Sequence, residues 1–103
     1  MTVSVTLCVL LWARPGNEDG LIAYEDQVLG IASAYGGQIL QRARSSGTGG
    51  QPLEIQLLDF PSAHAVEAFQ ADRRRQALAG ERDRVVARTE IVEVQLVQQS
   101  QPQ

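Results

Sequence analysis

The sequence contains no lysine, because all nine of its basic residues are arginine. This absence excludes Schiff-base catalysis and phosphate sites of the P-loop type, both of which need a lysine. The chain also has a single histidine, His64, and a single cysteine, Cys8, too few for a structural zinc site within one chain. One cysteine forms no internal disulfide, so we expect a reducing, cytoplasmic location.

Long apolar runs and an excess of basic residues are missing as well. No apolar run approaches the roughly 18 residues that a membrane-spanning helix needs. The first residues lack the basic segment of a signal peptide, so none is expected. The formal net charge of -3 argues against binding to nucleic acid. We therefore expect neither a membrane nor a nucleic acid as partner.

Apolar periodicity and turn residues predict six elements in the order β-α-β-β-α-β. This order predicts an α+β, ferredoxin-like fold, with a four-stranded antiparallel sheet in the order 4-1-3-2 and helices on one face. Gly30 lies inside the first helix, where we expect close packing against a neighbour. Residues 1–97 are expected to form one domain, followed by a disordered polar tail, residues 98–103. The predicted strands are residues 3–12, 38–44, 53–60 and 89–97, the first helix is residues 18–35, and a second helical region that Ser62 caps is broken near residue 72 and ends near residue 86.

The face of the sheet away from the helices has a mixed character. We place Val5, Leu7, Val9 and Leu11 on the helix face, and we expect residues 55, 57, 92, 94 and 96 to share that face. The opposite face is then too apolar to stay in water, which predicts a homodimer formed through it. The alternative is that one strand has the opposite alternation. The predicted outer face comprises Thr6, Cys8, Leu10, Trp12, Glu54, Gln56, Leu58, Phe60, Ile91, Glu93 and Gln95.

Several short motifs carry a family resemblance. Phe60-Pro61-Ser62 follows an apolar strand, and it is joined by Gly36-Gly37-Gln38, Ala68-Phe69, Arg75-Gln76-Ala77-Leu78, Glu81-Arg82 and Ala87-Arg88-Thr89-Glu90-Ile91. Together they resemble the DUF1330 family over about residues 5–95. That family is similar to the dimeric α+β barrel group, which includes cofactor-free monooxygenases. The resemblance implies the fold and a dimer but no activity, and Asp59 stands where family members usually carry Glu.

One end of the predicted sheet gathers residues suited to a ligand. The end of strand one carries Trp12, which antiparallel order places near Glu54 and Arg88, while Tyr24 and Arg42 approach from neighbouring elements. An aromatic ring, a phenol, a carboxylate and guanidinium groups suit a small aromatic or acidic ligand. In this hypothesis Glu54 is the catalytic base, Trp12 and Tyr24 position the ring, and Arg42 or Arg88 binds an oxyanion. The alternative is a salt-bridged rim of the sheet with Trp12 as core filler.

A second candidate acid–base pair lies at the other end of strand three. Asp59 ends the strand, and His64 follows in the first turn of the next helix. A histidine near a carboxylate is the usual arrangement of a general base and its orienting group. The alternative interpretation is a surface histidine without a catalytic role.

These observations predict a small cytoplasmic homodimer and leave open whether it is an enzyme. The first hypothesis is a cofactor-free enzyme, an oxygenase or a proton-transfer isomerase, acting on a small aromatic or polyketide-like substrate. The alternative is a non-catalytic protein that binds a small ligand or has a structural or interaction role. Neither a metal nor a cofactor is expected.

Overall fold

Alternating side chains build a four-stranded antiparallel sheet in the computed structural model, which describes residues 4–97. Its order is β2-β3-β1-β4, and each neighbouring pair is antiparallel. The predicted strand order and the α+β, ferredoxin-like fold class are therefore confirmed. The strands are β1 (Val5–Ala13), β2 (Gln38–Arg44), β3 (Glu54–Phe60) and β4 (Val86–Val94).

The helices pack on one face of this sheet. Asn17 precedes the longest one, and the acidic residues of its first turn suit the positive end of the helix dipole. Ser62 caps the second helix as predicted, since its Oγ accepts a hydrogen bond from the Ala65 backbone N–H at 3.1 Å. The predicted break near residue 72 is present, and a second break falls at Leu78. The helices are α1 (Glu18–Ala32), α2 (Ala63–Gln70), α3 (Arg73–Ala77) and α4 (Ala79–Val85), and a short 3-10 turn (Ser33–Tyr35) follows α1.

The apolar core lies between the sheet and the helices. Leu7, Val9 and Leu11 alternate along β1 and are buried, as the sequence predicted. They pack against the buried stripe of α1 and against aromatic residues from β3 and α2. Phe60 and Phe69 have ring centroids 5.2 Å apart, which joins the end of β3 to α2. The junction at residues 60–62 therefore fixes α2 over one end of the sheet.

The predicted alternation of β3 and β4 is wrong, because both strands present the opposite faces. In the β1–β3 register Leu11 is paired with Glu54 and Val9 with Gln56, so these polar residues face the helices. The outer face is consequently more apolar than predicted. Its central row consists of Leu57, Cys8 and Val92, side by side on three strands. A one-residue change of alternation exchanges the two faces of a whole strand, which is why every residue of β3 and β4 whose face was predicted lies on the opposite face.

Two glycines of α1 lie in contrasting surroundings, and Gly30 differs from its prediction. Gly30 is exposed, and a Cβ there would meet no atom within 4 Å, so the predicted close packing is wrong. The close approach is at Gly20, where a Cβ would lie 2.8 Å from Val85 Cγ1. Val85 is fully buried, so the close contact between α1 and α4 depends on the absence of a side chain at Gly20.

No helix within residues 4–97 is long and apolar enough to cross a membrane. The predicted tail, residues 98–103, lies outside the described residues. The assignment of residues 1–97 to one domain stays a prediction.

Alanine substitutions at the two glycines should have opposite effects. Gly30→Ala should raise the free energy of unfolding by about 1 kcal/mol, because alanine is the better helix former and nothing obstructs its methyl group. Gly20→Ala should lower it by roughly 1 kcal/mol, because its methyl group would overlap Val85. Urea unfolding followed by circular dichroism measures both values. Stabilisation of the protein by Gly20→Ala would contradict the close contact.

Candidate ligand-binding and active site

A cavity of about 330 Å³ lies between the sheet and the helices. Most of its wall is apolar and comes from β1, β3, α1 and α2. Polar groups of α1, β3 and α3 converge on it. An apolar cavity with a few convergent polar groups is the usual form of a small-molecule site. Its polar lining includes Tyr24, Glu25, Gln56, Gln70, Arg75, Gln76, Arg82 and Thr89.

Two adjacent residues of α1 supply a phenol and a carboxyl to this cavity. Glu25 follows Leu21 by four residues and precedes Leu29 by four, so it lies within the buried stripe of the helix. Tyr24 and Glu25 are only 2% and 5% exposed. A carboxyl in such a position needs a hydrogen-bond partner, and β3 supplies it.

That partner is Gln56, which is 1% exposed on the helix-facing side of β3. Its Nε2 donates to Glu25 Oε1 at 2.8 Å and to Glu54 Oε2 at 2.7 Å. A side-chain amide has two N–H groups, and both are used here. Gln56 therefore bridges two carboxyl groups.

Glu54 is fully buried and completes a network of ion pairs at the edge of the sheet. Arg42 donates to both of its oxygens, with distances of 2.9 and 3.1 Å, and Arg44 Nε donates to Oε1 at 2.9 Å. Arg42 also pairs with Asp26 of α1 at 2.8 Å. Glu54 is not among the residues that line the cavity. Arg42 and Arg44 bring positive charge to this edge of the sheet, but both oxygens of Glu54 are already engaged by hydrogen bonds.

Two oxygen atoms of the cavity wall remain without protein partners. Within residues 4–97, no hydrogen bond engages the second oxygen of Glu25 or Oε1 of Gln56. Neither is a fully buried atom, since among the described residues only Arg75 Nε is both fully buried and without a partner. These oxygens therefore reach open space, and the open space that their residues line is the cavity.

Arg75 brings a positive charge to the same cavity. It lies on α3, whose start is fixed by Asp72: Oδ1 accepts from the Arg74 backbone N–H at 2.7 Å, and Oδ2 accepts from the Tyr35 hydroxyl at 2.5 Å. The Arg75 guanidinium stacks 4.6 Å from the centroid of the Phe69 ring. It makes no ion pair within residues 4–97. An unpaired guanidinium beside an apolar space suits an acidic ligand.

Burial changes the acid–base properties of both groups on α1. Burial raises the pKa of the Glu25 carboxyl above its ordinary value, and the hydrogen bond from Gln56 opposes this only in part. Burial also raises the pKa of the Tyr24 phenol, against the opposing effect of the nearby Arg75 guanidinium. A carboxylate with a raised pKa is a stronger base than an exposed one. The site can thus accept a proton at Glu25 and stabilise negative charge at Arg75.

The cluster predicted from sequence is divided between the two faces of the sheet. Glu54 and Arg42 lie together on the helix side, and Tyr24 lines the cavity there. Trp12 and Arg88 lie on the outer face, where the guanidinium is 4.6 Å from the indole centroid and the indole N–H donates to the Gly50 carbonyl at 2.9 Å. Leu11 is paired with Glu54, so these two side chains share one face of the sheet. Trp12 follows Leu11 in the strand, and its side chain therefore points to the opposite face from Glu54.

The second predicted pair is not joined in the structure. Asp59 lies on the outer face, where its Oδ1 accepts from the Thr6 hydroxyl at 2.9 Å. His64 is exposed, and within residues 4–97 no hydrogen bond or ion pair links it to Asp59. Their acid–base role stays a prediction without support from a direct contact.

Sequence reasoning missed Glu25, Gln56 and Arg75. Glu25 carried a readable signal, because a charged residue four positions from Leu21 and from Leu29 stands within the apolar stripe. Gln56 carried none, since polar residues that alternate with Ile55 and Leu57 normally face solvent. Arg75 stands third in a run of arginines, and only the packing of α3 distinguishes it from its neighbours.

No group of three or more potential metal-ligating side chains occurs in the part of the chain from residue 4 to residue 97. No family model matches the sequence. No curated protein matches it either.

Solved structures of similar fold are numerous but distant in sequence. A protein of unknown function from Rhodopseudomonas palustris is 12% identical, with a TM-score of 0.78 over 96% of this chain and 86% of the other. A NIPSNAP-like domain protein from Burkholderia xenovorans is also 12% identical, with a TM-score of 0.74 over 99% and 92%. SnoaB, a cofactor-independent oxygenase from Streptomyces nogalater, is 10% identical, with a TM-score of 0.68 over 97% and 98%. These likenesses show a shared fold, the α+β, ferredoxin-like fold described above.

Replacement of Glu25 should change how stability depends on pH. Because the folded protein binds the Glu25 proton more tightly than the unfolded chain does, this group favours folding at low pH. Its contribution is lost as pH rises from about 4.3, the unfolded pKa, through the raised folded pKa. Glu25→Gln removes that loss. The melting temperature of the variant minus that of the wild type should therefore become more positive as pH rises from 4 to 8.

The exposed Glu67 of α2 provides the matched control for this measurement. Glu67→Gln should show a difference from the wild type that stays the same across the pH range. Differential scanning calorimetry at several pH values measures both variants. A Glu25→Gln difference that does not change with pH would refute the raised pKa.

Proposed function

We propose that this protein binds a small acidic aromatic or polyketide-like molecule in the cavity and moves a proton on it, with Glu25 as the base. The observation that carries the proposal is the meeting of three features in one apolar cavity: the free oxygen of Glu25, the raised pKa of that carboxyl and the unpaired guanidinium of Arg75. The ring of Phe69 and the aliphatic walls suit an aromatic or other flat ligand.

The isomerisation needs only groups of this chain. Glu25 takes a proton from an acidic C–H or O–H of the ligand, and the negative charge that develops on a ligand oxygen is stabilised by Arg75. Return of the proton to a different atom completes an isomerisation. Addition of the resulting carbanion to dioxygen would instead form a C–O bond and a peroxide. Protonation of that peroxide by Glu25 and loss of water would leave a carbonyl oxygen on the ligand, which is an oxygenase reaction. The likeness to SnoaB supports this reaction by fold alone.

The base in this proposal is Glu25 and not Glu54, the residue suggested by sequence. Glu54 is engaged by Arg42, Arg44 and Gln56 and lies behind the cavity wall. Tyr24 keeps its proposed role in positioning the ligand, and Arg75 replaces Arg42 and Arg88 as the group that binds the oxyanion. The alternative is a non-catalytic protein that holds the same ligand in the same cavity.

Binding is tested with 2-naphthoate, an apolar aromatic acid, by titration calorimetry. Arg75→Gln should weaken binding by about tenfold or more, since hydrogen bonds to charged groups contribute about 1.5–3 kcal/mol. Arg73→Gln is the matched control: this residue is exposed on the same helix, and its replacement should leave the affinity unchanged. Equal losses in the two variants, or no binding to the wild type, would contradict the proposal.

Catalysis is tested with phenylpyruvate, an aromatic acid with an exchangeable methylene group. The wild type should accelerate deuterium uptake at that carbon in D2O, as followed by proton NMR, and Glu25→Gln should abolish the acceleration while still binding the acid. Binding without acceleration in the wild type would favour the alternative function.

We further propose that the protein belongs to the DUF1330 family, on the motifs that resemble it, and that it acts in the cytoplasm.

A homodimer formed through the outer face of the sheet is part of the same proposal. The apolar row of Leu57, Cys8 and Val92 supports it, since Val92 is 50% exposed in the single chain. Burial of such a face against a second copy removes apolar surface from water.

A charged residue in the middle of this face should separate the dimer. Leu57→Glu should give a monomer in light scattering at micromolar concentration, where the wild type gives a dimer, because two unpaired carboxylates would be buried at the interface. Ala34→Glu, at an exposed position after α1, is the control and should remain dimeric. A monomeric wild type would refute the interface.

A further inference from the structure

The orientation of the Gln56 amide is fixed by its neighbours. Its Nε2 donates to Glu25 and to Glu54, and the reverse orientation would place the amide oxygen against two carboxyl groups. Glu54 is held as a carboxylate acceptor by Arg42 and Arg44, so the amide has no equivalent alternative arrangement. The oxygen of Gln56 therefore points in a constant direction.

That oxygen is the only hydrogen-bonding atom of Gln56 left for a ligand. It has no partner within residues 4–97, and it reaches the cavity that Gln56 lines. An amide oxygen accepts hydrogen bonds and donates none. A ligand group facing it must therefore be a donor, and a ligand that places an apolar atom there leaves a buried acceptor without a partner.

We infer that Gln56 is a specificity-determining residue that selects ligands with a hydroxyl group in addition to their acidic group. The inference rests on the proposed function, since it describes the same cavity. Arg75 binds the acidic end of the ligand, and Gln56 accepts the hydrogen bond of a hydroxyl elsewhere on it. Glu54, with its two arginines, is a positioning residue that keeps the Gln56 oxygen turned towards the cavity.

The substrate class that follows is a hydroxylated aromatic or enolic acid. Such molecules carry an acidic O–H beside an anionic group, which are the features that Gln56 and Arg75 recognise. Glu25 and Gln56 both line the cavity and are hydrogen-bonded to each other. A ligand hydroxyl bound to Gln56 therefore also comes close to Glu25. The residue that selects the hydroxyl thus adjoins the proposed base.

Hydroxyl selection is tested with 2-naphthoate and a set of its hydroxy isomers, each with the hydroxyl at a different ring position. At least one isomer should bind the wild type about tenfold more tightly than 2-naphthoate, the effect of one well-placed hydrogen bond to a buried acceptor. Gln56→Met should reduce that ratio to nearly one. Gln70→Met, which alters another glutamine of the cavity wall, should preserve it.

Each other outcome has a definite meaning. If 2-naphthoate binds and every isomer stays within twofold of it, the inference on Gln56 is wrong and the proposed acid-binding function stands. If the ratio disappears in Gln70→Met and persists in Gln56→Met, the hydroxyl is read by Gln70 and the inference is also wrong. If no acid binds the wild type, the proposed function fails and the inference fails with it.

A structure of the wild type with the tightest isomer tests the same point without a substitution, should Gln56→Met not fold. The hydroxyl oxygen must lie within about 3.2 Å of Gln56 Oε1, the upper range of a hydrogen bond. A hydroxyl directed towards solvent or towards another residue would overturn the inference.

Discussion

Two hydrogen bonds from a single amide connect the structural and the chemical parts of this protein. Gln56 donates one to Glu25 of α1 and one to Glu54 of its own strand. The first joins the central helix to the sheet beside the cavity, and the second joins the cavity wall to the ion pairs of Arg42 and Arg44. Without this bridge, two carboxyl groups would be buried side by side with less compensation, which is a costly arrangement.

The ion pairs at the edge strand make this polar interior possible. Glu54 is completely enclosed, but its two arginines come from β2 and remain partly in contact with water. The charge is therefore neutralised where the arginines are still hydrated, which reduces the cost of their desolvation. Asp26 extends the network to the surface of α1. The apolar side of the cavity is left free for a ligand.

The alternation of β3 has consequences on both faces of the sheet. Because Glu54 and Gln56 point towards the helices, Ile55 and Leu57 point outwards, where they are only half-buried. Over the first half of β3, a polar interior and an apolar exterior reverse the usual pattern in a sheet with one exposed face, whereas Leu58 and Phe60 return to an apolar interior. The proposed site and the proposed dimer interface follow from the same alternation, and a departure from local rules is expected at a functional site.

The sequence by itself determined the order of the elements, the strand order of the sheet and the Ser62 helix cap, because turn residues, apolar periodicity and chain direction act locally. It also indicated that Glu54 and Arg42 would meet, since both lie near the same edge of the sheet. Only the tertiary structure decided which faces of β3 and β4 are inward, that Trp12 is separated from Glu54 by the sheet, and that Glu25, Gln56 and Arg75 share a cavity. These depend on pairings between residues far apart in the chain, whose energy outweighs the local preference of polar side chains for water.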